Sequence, residues 1–168
     1  MPYTFRPATA TDLDGIMVII AEAKEQMRRE GKHKWDDTYP VRHHIETDIR
    51  NGSAYVMAAS GAVVAYGAVV FSGEPAYAEI EGRWLTDCPY VVLHRLAVAE
   101  RTKGHGIGAL FMQETERLAT AANIHSFKID TNHDNTRMLR LLTKMGFTYC
   151  GTIHYQQGSR MAYEKLLE

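Results

Sequence analysis

Several things are scarce in this sequence, and each scarcity narrows what the protein can be. Two cysteines in 168 residues, Cys88 and Cys150, are too few for a disulfide framework, and they show no paired metal-ligand spacing. No apolar run approaches the roughly 18–20 residues of a membrane span, which excludes a membrane-spanning protein. Charge of one sign is equally scarce, since 19 Lys+Arg against 20 Asp+Glu leave a net −1. A protein that coats nucleic acid needs a clear basic excess, so that class is excluded too. The segment from Met1 to Arg6 lacks the apolar core of a signal peptide, and a cytoplasmic chain is the expectation. No repeat, low-complexity stretch or Pro/Gly/Ser linker interrupts residues 1–168, which therefore read as a single domain.

What is present is a regular alternation of strand and helix patterns. Tyr3 to Ala8 reads as a first strand, followed by a helix with Thr11 as cap and Leu13, Ile16, Met17, Ile20 and Met27 on one face. That helix is expected to stop at Gly31, and a second runs from Val41 to Arg50. Ala54–Ala59 and Ala62–Phe71 form a hairpin around Ser60-Gly61. After an irregular connection from Ser72 to Pro89 comes an apolar strand, Tyr90–Val98, then a helix marked by Ile107, Leu110, Phe111 and Leu118. Phe127–Asp130 is a further strand, and Met138, Leu139, Leu142 and Met145 lie on a last helix closed by Gly146. Phe147–Tyr155 and Met161–Leu166 end the chain as two strands. The pattern is that of a mixed α/β domain.

The stretch from Val98 to Ala109 carries the chemistry. Gly104, Gly106 and Gly108 let successive backbone N–H groups face one concavity at a helix start, and Arg101 and Lys103 add two charges. Such a loop suits a phosphate or pyrophosphate, and the bland reading is a glycine-rich surface loop. The nucleotide-hydrolase pattern of Gly, four residues, then Gly-Lys-Ser/Thr is absent. Gly104-x-Gly106-x-x-Ala109 formally matches a dinucleotide fingerprint, with Asp130 ending the next strand. In that fold the first glycine turns directly off the strand, whereas here five residues separate Val98 from Gly104.

Arg101-Thr102-Lys103-Gly104-His105-Gly106 resembles at every defined position the Arg/Gln-x-x-Gly-x-Gly/Ala signature of the GCN5-related N-acetyltransferase (GNAT) superfamily. Asn135, Met138, Leu142, Lys144 and the pair Gly146-Phe147 are similar in spacing to its second element, Asn-x-x-Ala-x-x-x-Tyr-x-Lys-x-Gly-Phe. The order of elements and the length agree, and Trp35 to Pro40, His94-Arg95 and Asp130-Thr131 resemble a bacterial branch that suggests no substrate. The resemblance implies the acyl-CoA N-acyltransferase fold, a mixed and mostly antiparallel sheet with flanking helices. It implies an acetyl-CoA-dependent N-acetyltransferase acting on an amine of a small molecule or peptide. Its non-catalytic counterpart is an acyl-CoA-binding or sensing domain.

By the same resemblance, the pyrophosphate would lie along Arg101, Thr102, Lys103, Gly104, His105, Gly106, Ile107, Gly108 and Ala109. Leu96, Ala97 and Val98 would pair with the pantetheine arm, and Asn135, Met138 and Lys144 would contact the cofactor from the last helix. The N–H of Val98 or its neighbour is the expected oxyanion donor, and His94 the expected base. Strand alternation would put the His94 and Val98 side chains on one face. His94-Arg95-Leu96-Ala97-Val98 also resembles the His-Ala-Leu-Ala-Val run of arylalkylamine acetyltransferases, whose histidine takes part in proton removal. The bland alternative is a histidine hydrogen-bonded in the core. Leu142 stands where many relatives carry a proton-donating tyrosine, and Tyr149 or Tyr155 are the conceivable substitutes.

Trp35, Tyr39, Tyr77 and Trp84 either line an acceptor pocket or pack the interior. The doublet His43-His44 lies on a predicted helix, where adjacent residues do not converge, so no metal site is expected. Cys150 reads as a small buried hydrophobe. Symmetric dimerisation through the hairpin from Phe147 to Leu166 is the expected way to cover a sheet edge.

Overall fold

The computed structural model describes residues 2–168, which fold as two compact units. The first comprises residues up to Val69 together with His94–Glu114, and the second Val70–Leu93 with Thr115–Glu168.

In the first unit, strand β1 (Thr4–Pro7) pairs antiparallel with β2 (Ala54–Ala59), and β2 with β3 (Ala62–Val70). Ser60 and Gly61 both take positive φ, 51° and 80°, which gives the two-residue turn whose twist matches the strands. Helix α1 (Leu13–Arg29) buries Leu13, Ile16, Ile19 and Ile20, and α2 (Arg42–Arg50) buries Ile45 and Asp48. The entry to α1 differs from expectation. A 3₁₀ turn, Ala10–Asp12, precedes the helix with Thr9 rather than Thr11 at its head. Asp12 accepts the Thr9 N–H at 2.8 Å and a two-pronged contact from Arg6 at 2.8 and 2.9 Å. That pairing, led by the Arg6 hydrogen bond, lowers the Asp12 carboxyl to about 2. Phe5 stacks on Tyr55 and meets Phe111 edge-on, each at 5.1 Å, closing the core beside β1.

In the second unit, β5 (Val91–Val98) begins with a parallel pairing to β6 (Ser126–Thr131), Val91 with Phe127 and Val92 with Lys128. β6 pairs antiparallel with β8 (Gly158–Leu166), and β8 with β7 (Thr148–Tyr155). A short strand absent from the sequence reading, β4 (Glu81–Gly82), pairs with Thr152 and Gly151. Backbones there come so close that a Cβ on Gly82 or Gly151 would collide with the facing carbonyl oxygen. β4 therefore covers part of β7.

Helix α3 (Ile107–Ala121) runs from the first unit into the second, and α4 (Thr136–Lys144) belongs to the second. Leu142 is fully buried, and Phe147 meets Phe127 edge-on at 5.1 Å. Tyr77, Val92, Ile153 and Ala162 form a separate cluster, bordered by Trp84, Tyr90 and Tyr155. The strands are thus mixed, one parallel pair among antiparallel ones, with helices beside them. Among the described residues no helix is long and apolar enough to cross a membrane.

Candidate active site

β5 leaves the first unit's core through Val98 into a single 3₁₀ turn, Glu100–Thr102, and only then reaches the glycines. This turn accounts for the five-residue spacer. The Thr102 hydroxyl donates to the Ala99 carbonyl at 3.0 Å, and the Ala99 N–H to Val64 at 2.7 Å, which pins the loop base to β3. Gly104 and Gly106 take φ of 84° and 74°, and nothing lies within 4 Å of where a Cβ would stand on either. The glycines are needed for backbone conformation, and they leave open space. α3 starts one residue later, so the N–H groups of its first turn lack intrahelical acceptors. The positive end of the helix adds to the attraction for an anion.

The two cations are loosely engaged. Arg101, exposed, donates to the Val63 carbonyl at 3.2 Å, and Lys103 lies 3.2 Å from Glu100. Exposed contacts of this kind are weak, and an anion can compete for both side chains. His105 is exposed, and its N–H donates to Thr102 within the loop. Thr102 and Ile107 are buried, so they shape the loop from below.

His94 is half-buried on β5, as are Leu96 and Val98, while Ala97 is buried. Between them Arg95 takes φ of 57°, a left-handed conformation rare for a residue with a side chain. The alternation assumed between His94 and Val98 is therefore interrupted, and their shared face does not follow from spacing. Both β5–β6 pairs precede Arg95.

Arg95 also anchors a network that the sequence did not reveal. Its Nε and Nη2 donate to the two carboxylate oxygens of Asp48 at 2.9 and 2.6 Å, and its Nη1 to the Tyr39 hydroxyl at 3.0 Å. The buried Tyr66 hydroxyl donates to the same Asp48. Burial alone would lower the Arg95 pKa, but its hydrogen bonds to Asp48, with the Tyr39 phenol, more than offset this and raise it. Burial, reinforced by the Asp48 charge, keeps the Tyr66 phenol protonated. No local signal could have shown this network, because Asp48 and Arg95 are 47 positions apart. Of the four aromatics singled out, Trp35 is buried and Tyr39 half-buried in this unit, with Tyr39 edge-on to His44 at 4.7 Å. His44 accepts the Val41 N–H through Nδ1, which caps α2.

The second unit holds the other sequence-selected residues. Asn135 caps α4, its side-chain oxygen accepting the Met138 N–H at 3.2 Å, so the amide NH₂ is the part left to donate to a ligand. Lys144 is exposed at the far end of the helix, and Met138 is half-buried. Tyr77 is buried, and its carbonyl accepts the Trp84 indole N–H at 2.9 Å. Of the two tyrosines considered as proton donors, Tyr149 is exposed. Tyr155 donates to Asp130 at 2.5 Å, and burial followed by the Asp130 charge raises its pKa. Cys150 is buried, and burial raises its thiol pKa.

Comparison with known proteins bears on the fold and the family. An acetyltransferase of the GNAT family from Streptococcus agalactiae 2603 is 35% identical, with a TM-score of 0.90, covering 99% of this chain and 96% of that one. One from Listeria monocytogenes 4b F2365 is 19% identical, with a TM-score of 0.78, covering 98% and 95%. The yncA protein of Salmonella typhimurium, whose structure holds its cofactor acetyl-CoA, is 16% identical, with a TM-score of 0.72, covering 100% and 95%. The last two likenesses concern the fold alone. No curated protein matches the sequence. The model of the acetyltransferase (GNAT) family matches residues 19–147, most of the length over which strands and glycine loop were traced, and the chain belongs to that family.

Proposed function

We propose that the protein transfers an acetyl group from acetyl-CoA to a primary amine of a small molecule or peptide. The observation that carries this reading is the loop from Arg101 to Ala109, open over Gly104 and Gly106 and leading into the positive end of α3. Such a cradle fits the pyrophosphate of coenzyme A in charge and in backbone donors. Leu96, Ala97 and Val98 would hold the pantetheine arm through their backbone, and Asn135, Met138 and Lys144 the remainder. Acetyl-CoA supplies the acetyl group as an activated thioester.

The chain's own groups would manage the proton and the charge. His94 accepts the proton of the incoming ammonium, directly or through water, because an imidazole titrates in the working range. The N–H at Val98 donates to the carbonyl oxygen as negative charge builds there. Trp35, Tyr39, Tyr77 and Trp84 are the aromatics proposed for the acceptor, Trp35 and Tyr77 being buried and Tyr39 and Trp84 half-buried. One observation favours the non-catalytic alternative. Leu142, where relatives carry a tyrosine, is fully buried and has no proton to give. The reading of a cytoplasmic protein is part of the same proposal.

Thiol release from acetyl-CoA with pooled polyamines, arylalkylamines, amino acids, aminoglycosides and peptides tests the reading. Release with at least one class is expected, and none, alongside tight acetyl-CoA binding, would establish the binding domain instead. Replacing Gly104 and Gly106 by bulky residues should sharply weaken acetyl-CoA binding by calorimetry. With an acceptor in hand, His94→Ala should lower kcat/KM by roughly 10²–10⁴-fold with acetyl-CoA affinity little changed.

A further inference from the structure

We propose that Asp48 and Tyr39 are positioning residues, which clamp Arg95 in its left-handed conformation and thereby set the geometry of β5 from His94 to Val98. This rests on the acetyl-transfer reading for its chemistry and goes beyond it in the residues named.

The argument begins with the backbone. A side-chain-bearing residue at φ of 57° holds that conformation only where its surroundings fix it. Here all three guanidinium nitrogens donate, Nε and Nη2 to the Asp48 carboxylate and Nη1 to the Tyr39 hydroxyl. A bidentate pair of this kind fixes direction as well as distance. Asp48 is itself fixed, since it lies buried on α2 and also accepts the Tyr66 hydroxyl from β3. A chain of rigid elements therefore runs from α2 and β3 to the Arg95 backbone, all within the first unit.

The consequence falls on the neighbours. The left-handed residue turns the peptide planes on either side of Arg95 away from those of a regular strand. His94 precedes it and Leu96 follows it. The direction of the His94 side chain and of the Leu96 and Val98 backbone groups thus depends on the Arg95 conformer. Tyr39 extends the clamp to the segment that carries Trp35, so that segment and β5 are set together. A misplacement of about 1 Å can cost roughly 10²-fold in rate.

The test compares Asp48→Asn, which keeps shape and loses charge, with Tyr39→Phe, which keeps the ring and loses one hydrogen bond. Three quantities are measured on the full chain: kcat and KM with the best amine, acetyl-CoA affinity by calorimetry, and hydrogen exchange of the amides from residue 94 to 98. Asp48→Asn should lower kcat by roughly 10²-fold and weaken acetyl-CoA binding by a clearly smaller factor, because the Leu96 and Val98 backbone groups shift while the glycine loop stays outside the network. Exchange in that segment should quicken by about tenfold more than in β1 and β2. Tyr39→Phe should show the same pattern more weakly.

A folded Asp48→Asn protein with wild-type kcat, or with faster exchange spread evenly over the first unit, would overturn the proposal and leave a purely structural ion pair. If Asp48→Asn does not fold, Tyr39→Phe decides by the same readings. Should the wild type neither bind acetyl-CoA nor release thiol, the transfer reading fails. Exchange confined to residues 94–98 would then still uphold the clamp, and unchanged exchange would remove it.

Discussion

Asp48 in the first unit and Glu164 in the second are both buried carboxylates, 6% and 0% exposed, yet they are held by different means. Asp48 meets a full charge, the Arg95 guanidinium, with a tyrosine hydroxyl beside it. Glu164 is surrounded by neutral donors, the Leu85 N–H at 2.8 Å and the Thr86 and Ser126 hydroxyls at 2.6 and 2.7 Å. Lys128, the register partner of Glu164 across β6 and β8, is coupled to it by charge, but its ammonium lies over the rings of Trp84 and Tyr90 at 4.6 and 4.4 Å and donates to the Thr86 carbonyl. Burial lowers the Lys128 pKa. An ion pair is directional and intolerant of losing either partner, whereas a set of neutral donors can rearrange around what remains. The first arrangement sits beside His94 on β5. The second fastens the irregular segment around Leu85 and Thr86 to β6 and β8.

The contrast predicts unequal damage. Asp48→Ala should destabilise the protein most, by about 3–5 kcal/mol in urea unfolding, because it leaves the Arg95 charge buried and unpaired. Glu164→Gln should cost about 1–3 kcal/mol, because the amide oxygen can keep the Leu85 N–H while the Thr86 and Ser126 hydroxyls must turn to accept from the new NH₂. Equal losses from the two variants would show that the distinction between charged and neutral partners has no energetic weight here.

The smallest effect belongs to Asp12, whose partner Arg6 is 39% exposed. Its folded pKa of about 2 lies below the unfolded value, so the unfolded state binds protons first as the pH falls. The stabilisation is complete above about pH 4 and is lost as the pH falls towards 2. Asp12→Asn should therefore flatten that part of the stability curve by a modest amount, as suits a partly solvated pair. A wild-type slope in the variant over that range would contradict it.

Local chemistry made much of this protein legible. Ser60-Gly61 announced its turn because Gly61 takes positive φ freely and serine is a common turn residue, and the glycine loop was visible because its spacing repeats a backbone requirement. Thr9 displaced Thr11 as the first cap because Asp12 could answer both the Thr9 N–H and Arg6, a choice made by a contact six residues away. β4 escaped notice because two residues carry no periodicity, and its existence depends on two glycines about 70 positions apart meeting backbone to backbone. Arg95 gave no sign of its conformation, since arginine has no preference for a left-handed backbone. Tyr77 and Trp84 could not be sorted into packing and pocket aromatics until their neighbours were known.

By itself the sequence determined the order of the helices and of the longer strands, the glycine loop from Arg101 to Ala109, and the family. Each is written in periodicity or in motifs a few residues long, where neighbours in sequence are neighbours in space. Tertiary structure alone decided the Asp48–Arg95 clamp, the hold on Glu164 and the course of β5 beyond Leu93. These depend on which distant groups arrive at hydrogen-bonding distance once the core has closed, because a buried charge or a strained backbone persists only when several separate elements fix it together.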